Sequence, residues 1–551
     1  MAPRSGGLLV VDALIGHGVD LAFGVPGESY LPVLDGFHER QDAIRFIICR
    51  HEAGAANMAE AAGKLTGTPG VCFVTRGPGA THASIGVHTA FQDSTPMILF
   101  IGQVGGDFVG REAFQEVDYV RMFGPLAKWV AQIDRAERVP EFISRAFHTA
   151  TSGRPGPVVL ALPEDMLTAT ATVADVPRYQ VVQAHPSKED VARIRVLLEK
   201  AERPLLVVGG SCWDESAYGD VRRFAEANAL PVGCAFRYQD HFDNAHPNYA
   251  GDIGIGVNPK LAQRVKDADL LLVIGARLGE MTTGGYTLVE SPVPKQKLVH
   301  VHPGAEELGR VHRGELMVNA ASAPMLAALA AMPAVQPRWK AWTESARADY
   351  ETWTARRENP GRVQMWDVVA ALEARVKPDA IYTNGAGNYT AWVHRFHRHR
   401  LPHTQLAPTS GAMGYGVPAA IAAKIQHPSR EEISFAGDGC FLMNGQELAT
   451  AVQYGANVVF IVVNNGMYGT IRMHQEKHYP GRVSGTDLVN PDFAAYARAF
   501  GAHGELVEDT AQFAPALERA FSAGKPALIE IRLDPQAITP NTTLDAIRNK
   551  K

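Results

Sequence analysis

Residues 433–471 read ISFAGDGCFLMNGQELATAVQYGANVVFIVVNNGMYGTI, and this stretch decides the fold. Its first apolar run, 433–436, is short enough for a buried strand and stops at Gly437-Asp438-Gly439. A helical pattern follows: Asn444 is placed to cap it, Glu447 sits near its positive end, and Gly455 stands where a left-handed residue closes a helix. A second apolar run, 458–463, stops at Asn464-Asn465. A strand–helix–strand crossover returns its two strands parallel, so both polar tips emerge on one carboxyl edge, where open α/β sheets bind ligands. Asp438 and Asn465, far apart in the chain, are thereby expected side by side. A carboxylate, an amide oxygen and a nearby backbone carbonyl suit a hard octahedral cation such as Mg²⁺, completed by phosphate oxygens and water. The glycines let backbone N–H groups approach those phosphates.

The same alternation of short β-branched runs and longer helical patterns extends outward in both directions. Strands are expected at 44–49, 71–75 and 97–102, again at 205–208 and 270–274, and again around the quoted stretch. Polar seams at 179–187 and 333–358 divide the chain. The expected architecture is α/β, with three doubly wound parallel-sheet domains at 1–180, 187–333 (Rossmann-like) and 360–540. Of the 551 residues, 46% are hydrophobic and 20% charged, which excludes disorder and fibrous repeats. The net charge of −5 leaves no electrostatic footprint for nucleic acid. No run approaches the length of a membrane span, and the N-terminal apolar run 8–15 carries Asp12, a poor signal peptide, so a cytoplasmic protein is expected. The five cysteines are scattered without a CxxC pair, which reads as buried thiols in a reducing compartment.

GDG followed about two dozen residues later by NN resembles the diphosphate–Mg²⁺ motif of thiamine diphosphate (ThDP) enzymes. The likeness covers essentially the whole chain and is greatest to the acetolactate synthase large-subunit group. It implies pyrimidine-binding, central and diphosphate-binding domains, in that order. It implies that Asp438, Asn465 and the carbonyl of Met467 hold the metal, with Gly437, Gly439 and Cys440 beside the diphosphate. Ala386, Gly387, Asn388 and Tyr389, in the segment NGAGNY at 384–389, would form the other diphosphate loop; the synthases usually have Gln-His at its last two positions.

ThDP needs a carboxyl group at pyrimidine N1′, so that the cofactor's own 4′-amino group becomes basic, and it must be held bent. Glu52 opens the helical stretch HEAGAANMAEAAGKLTG at 51–67. The helix dipole alone would explain an acid there; the resemblance makes it the activating Glu. Glu60, further along the same helix, is expected to face solvent. Met413, in SGAMGYGVPAA, matches the residue that bends the cofactor, and Gly411 would offer its carbonyl to the 4′-amino group. In this family Glu52 comes from one subunit and Asp438 and Met413 from its neighbour, which implies a homodimer or homotetramer.

Substrate residues follow the resemblance less evenly. The loop FGVPGESY puts Glu28 and Ser29 near the reacting carbon, an acid position shared with simple 2-oxo acid decarboxylases, yet the His-His pair of those enzymes is missing. Gln103, the run Ala113-Phe114-Gln115-Glu116 and Lys128 follow the synthase pattern, with Gln115 and Lys128 in a substrate wall. His474 stands where the synthases have Trp, and with Arg472 and Gln475 it implies a more polar acceptor pocket. The central segment has Ile253-Gly254-Ile255, RLGEMTTGGY, and His300 and His302 in place of the usual flavin contacts, which puts FAD in question. The leading reading is a ThDP- and Mg²⁺-dependent enzyme that decarboxylates a 2-oxo acid and ligates the acyl unit to a second carbonyl. The alternatives are a non-ligating decarboxylase or 2-hydroxy ketone lyase, and a silent ThDP-binding partner, against which the complete set Glu52, Met413, Asp438 and Asn465 argues.

Overall fold

Strands such as Met97–Gln103, Pro157–Pro163 and Leu270–Ile274 are buried at every position, as strands of parallel sheets covered on both faces must be. The computed structural model describes residues 2–550. It contains three six-stranded sheets, and every ladder within them is parallel. Fully burying one Val, Leu or Ile is worth about 1.5–3 kcal/mol, so these runs dominate the cohesion of each sheet.

The first sheet runs Arg45–Ile48, Leu21–Gly24, Gly70–Val74, Met97–Gln103, Pro157–Pro163, Trp129–Gln132. The third runs Gln405–Leu406, Ile381–Asn384, Glu432–Gly437, Val459–Asn464, Ala527–Arg532, His503–Val507. Numbered along their own sheets, both have the order 2-1-3-4-6-5, so one topology occurs twice. The middle sheet has the dinucleotide-fold order 3-2-1-4-5-6, with its switch point between Pro204–Val208 and Leu270–Ile274. The chain forms two compact units, described separately. One comprises residues up to 182 with 408–428 and 442–456; the other comprises 183–407, 429–441 and everything from 457 onward.

The helix Glu52–Thr66 begins where the His51 ring accepts the Ala53 N–H (3.1 Å) and ends at Gly67 with φ +69°. Residues 54–63 are all buried, and a helix buried all round needs small side chains. At Gly86, on the neighbouring helix Pro78–Asp93, an added Cβ would stand 2.4 Å from the Ala56 Cβ.

The helix expected between Asn444 and Gly455 forms as a 3-10 turn Gly445–Glu447 that runs into a short helix Leu448–Gln453, preceded by a separate turn Asp438–Phe441; Asn444 stands at the N-cap position, but its side chain makes no cap bond there. The Asn444 amide donates instead to the Gly414 carbonyl at 2.9 Å. Gly455 does adopt a positive φ, +62°. No disulfide joins any of the five cysteines, and four of them are buried. Among the described residues no helix is long and apolar enough to cross a membrane.

Candidate functional site

Two clusters collect most of the residues singled out above. The first lies at the carboxyl edge of the third sheet. Gly437 pairs across from Val463, so Asp438 and the Asn464-Asn465 pair leave adjoining strand ends. Asp438 is 3% exposed. Its carboxylate accepts the N–H of Gly439 (2.9 Å), the N–H of Gly466 (2.9 Å) and the Asn490 amide (2.8 Å). No lysine or arginine among the described residues reaches it. Burial raises its pKa above the usual carboxylate value, and these donors offset only part of that rise. A buried carboxylate held by neutral donors, with no cationic side chain, has the chemistry of a seat for a cation.

Asn464 is a clamp. Its Oδ1 accepts the Gly466 N–H (3.1 Å) and the Asn490 amide (3.0 Å), while its own amide donates to the buried Glu530 (2.8 Å). Asn465 takes part in none of these bonds and is half-buried. Met467 is buried, and its N–H also bonds Asp438. The loop around it is pinned by Tyr468 N–H to Thr486 O and Leu488 N–H to Gly466 O, both 2.9 Å. Asn490 was not anticipated, because nothing in the run Val489-Asn490-Pro491 marks it as more than a turn residue.

Tyr389 is buried, its hydroxyl accepts the Gly385 N–H (3.0 Å) and lies 3.3 Å from the Cys440 sulfur, and its ring packs against Gly437. The polar atoms of Tyr389 and Cys440 are thus directed at one another. An added Cβ on Gly439 would stand 2.5 Å from the Tyr468 ring, so the GDG turn admits no larger residue there. The Asn388 side-chain oxygen Oδ1 accepts the Thr470 hydroxyl at 2.8 Å, and Ala386 and Gly387 complete the loop, Gly387 at φ +146°. His474, on the helix Gly469–His478, is exposed and parallel to His478. Arg472 is not a free polar wall. It pairs with Glu476 (3.0 Å) and Asp487 (3.2 Å), and Glu476, 1% exposed, also holds Arg548 of the last helix (2.7 Å). Arg548 foremost holds the Glu476 carboxyl down at about 2.

The second cluster lies at the start of the helix Glu52–Thr66. Glu52 Oε2 is 2.9 Å from His82 Nδ1, and the His51 and His82 rings stack with centroids 4.5 Å apart. Glu447 does not serve its own helix. Its buried carboxylate accepts the N–H groups of Arg50 (3.1 Å) and His51 (2.9 Å) and the Thr450 hydroxyl (2.5 Å), so it caps the helix that carries Glu52. It fits there because Gly54 has no side chain: a Cβ would stand 2.4 Å from Glu447 Oε1.

Glu60 is corrected outright. It is 0% exposed, not on a solvent face, and accepts the hydroxyls of Thr95 (2.7 Å) and Tyr415 (2.5 Å). Burial, with the nearby Asp93 charge adding to it, pushes its pKa up to about 7. The segment with Gly411 and Met413 is held on both sides. Asp93 accepts the Thr409 N–H (2.7 Å) and its hydroxyl, Tyr415 donates to Glu60, and Asn444 donates to Gly414. Met413 itself is half-buried, and Gly411, exposed at φ +69°, has nothing within 4 Å of where a Cβ would be.

Glu28 and Gln115 gather around Arg76, which lies 3.6 Å from Glu28, donates to the Phe114 carbonyl (3.1 Å) and pairs with Glu164. Gln115 is half-buried, with φ +64°, against Gly77. Lys128 is not in this group. Its ammonium donates to the Thr149 (2.5 Å) and Ser152 (2.6 Å) carbonyls at the end of the helix Val139–Thr151, a capping role. In the middle sheet, His300 is buried against the Ala276 carbonyl (3.0 Å). The switch-point carbonyls of Gly209 and Gly210 accept from Trp213 (3.1 Å) and lie against His241 (3.0 Å). These groups are occupied by the chain's own side chains.

Comparison with known proteins agrees with this layout. Family models match residues 4–122 (thiamine pyrophosphate enzyme, N-terminal TPP binding domain), 191–329 (central domain) and 385–531 (C-terminal TPP binding domain). The acetolactate synthase large subunit of Parasynechococcus marenigrum is 33% identical, over 96% of this chain and 87% of the relative. The acetolactate synthase isozyme 2 large subunit of Escherichia coli is 30% identical, over 96% of both. The acetolactate synthase large subunit of Corynebacterium glutamicum is 32% identical, over 94% of this chain and 84% of the relative. With three matching domains in the family's order and near-complete coverage by such relatives, the chain belongs to the thiamine pyrophosphate enzymes, within their acetolactate synthase large-subunit group.

Proposed function

We propose that this enzyme uses ThDP and Mg²⁺ to decarboxylate a small 2-oxo acid and transfer the acyl unit to a second carbonyl, in keeping with relatives that are named acetolactate synthases. The observation that carries the reading is Asp438, a buried carboxylate with neutral donors and no cationic partner. Asp438, Asn465 and the Met467 carbonyl would hold the metal. The backbone of 386–388 and of Gly437 and Gly439 would receive the diphosphate, with Tyr389 and Cys440 bracing the turn. The bound cofactor supplies the carbon nucleophile and the electron sink for loss of CO₂. Glu52 would hold a proton at pyrimidine N1′, Gly411 would accept from the 4′-amino group, and Met413 would pack against the cofactor.

Glu28 and Gln115, grouped on Arg76, would face the donor substrate, and His474 the acceptor. An acid at Glu28 also favours a second reading, a decarboxylase that protonates the acyl unit instead of ligating it. Ile253-Gly254-Ile255, His300 and His302, standing in place of the usual flavin contacts, favour a central domain that works without FAD. The domain bounds proposed are 1–180, 187–333 and 360–540. The working unit would be a cytoplasmic homodimer or homotetramer in which Glu52 of one chain meets Asp438 and Met413 of another. The test is a panel of 2-oxo acids with ThDP and Mg²⁺, with CO₂ and products quantified. Coupled 2-hydroxy-2-oxo products support carboligation, aldehyde alone supports the second reading, and full activity of Glu52→Gln would refute the role given to Glu52.

A further inference from the structure

The connector after the helix Lys340–Thr354 and the C-terminal segment 539–543 enclose an open cavity of about 510 Å³, within the range of small-molecule sites. Its wall carries Arg356, Arg357 and Glu358 on one side and Thr539, Asn541 and Thr542 on the other. The charges on this wall do not balance. Arg356 is taken by Asp367 (3.0 Å) and Glu358 (3.0 Å), and Glu358 by Arg356 in turn. Arg357 is exposed, and no carboxylate among the described residues pairs with it.

Behind the wall, Arg395 is 7% exposed and stacked 3.5 Å over the Trp353 ring. It donates to the Trp353 carbonyl (2.9 Å) and to the side-chain oxygen of the wall residue Asn541 (2.7 Å), but its remaining terminal nitrogen is buried without an acceptor. Burial, and then the Arg357 charge, push the Arg395 pKa down to about 10. Two guanidinium groups that no carboxylate neutralises, bordered by hydroxyls and amides, form an environment for a multiply charged oxyanion.

We propose that this cavity binds a phosphate-bearing anion, with Arg357 gripping its oxygens and Arg395 supplying fixed positive charge from behind Asn541. The volume exceeds what inorganic phosphate fills, so a phosphorylated organic molecule such as a nucleoside diphosphate is the ligand class. None of the wall residues belongs to the Asp438 or Glu52 clusters, so the inference does not depend on the reaction proposed above.

The experiment uses the whole enzyme saturated with ThDP and Mg²⁺, titrated calorimetrically at constant ionic strength with inorganic phosphate and, separately, with ADP. Saturable binding of one anion per chain is expected, weakened about tenfold or more in Arg357→Ala, the size of a lost charge-assisted contact. Arg357 is exposed, so this variant should fold; an unchanged melting temperature without ligand checks it. Tighter binding of ADP than of phosphate identifies an organic phosphate, and equal affinity identifies the free anion. No saturable binding of either probe, or binding that Arg357→Ala leaves unchanged, overturns the proposal.

Discussion

Replacing Glu60 by Gln tests whether the buried carboxyl governs the stability of the helix that presents Glu52. In the folded protein its pKa is raised from 4.5 to about 7, by burial first and by Asp93 second. An acid raised on folding contributes stability that is fully present below its unfolded value and lost as pH rises through the folded one. The window is therefore about pH 4.5 to 7. Each pKa unit is worth about 1.4 kcal/mol, so the whole effect is about 3 kcal/mol. Gln is neutral at every pH and keeps a carbonyl for one of the two hydroxyl donors. The assay is hydrogen–deuterium exchange of peptides spanning 52–66, corrected for intrinsic rates, at pH 5, 6, 7 and 8. This reads local opening without assuming that a chain of several domains unfolds in one step. The wild-type opening free energy minus that of Glu60→Gln should fall by about 2.5 kcal/mol between pH 5 and pH 8, the rest of the effect lying below pH 5. A difference that stays level, or that grows with pH, refutes the reasoning.

Asp438→Asn keeps the size of the side chain but removes its charge, and Mg²⁺-dependent retention of ThDP should drop about 100-fold or more by calorimetry. ThDP binding in the absence of metal should change far less. His82→Ala takes away a side chain hydrogen-bonded to Glu52; turnover should fall about tenfold with KM nearly unchanged, and His82→Asn, which keeps a polar group at that position, should recover most of it. Gly54→Ala drives a methyl into Glu447; a melting temperature lowered by the equivalent of about 1–3 kcal/mol is expected, with reduced activity because the turn at Arg50 and His51 loses its cap.

The strand ends at Asp438 and Asn465 were legible because everything that fixes them is local: an apolar run of strand length, then a turn rich in glycine or asparagine. The parallel return of the chain does the rest. What was not legible has distant partners. Glu60 bonds Tyr415 across 355 residues, Glu447 caps His51 across 396, and Asn490 reaches Asp438 across 52. No periodicity encodes such pairs, since a buried polar group is satisfied by whatever the topology brings beside it. Lys128 and Arg472 misled for the same reason. Read alone they are long polar side chains, and only the folded chain supplies the helix-end carbonyls and the buried Glu476 that use their charge. The sequence around Glu60 carries one local signal of a buried acid. An amphipathic helix that shows an acid to water has other polar residues on the same stripe. From Gly54 to Gly63 this helix has Asn57 as its only other polar residue, about a turn away, amid alanines, glycines and a methionine. A helix with no polar stripe has no side to turn to solvent, so an acid within it is a buried acid, and a buried acid requires either a raised pKa or dedicated donors. Glu60 has both.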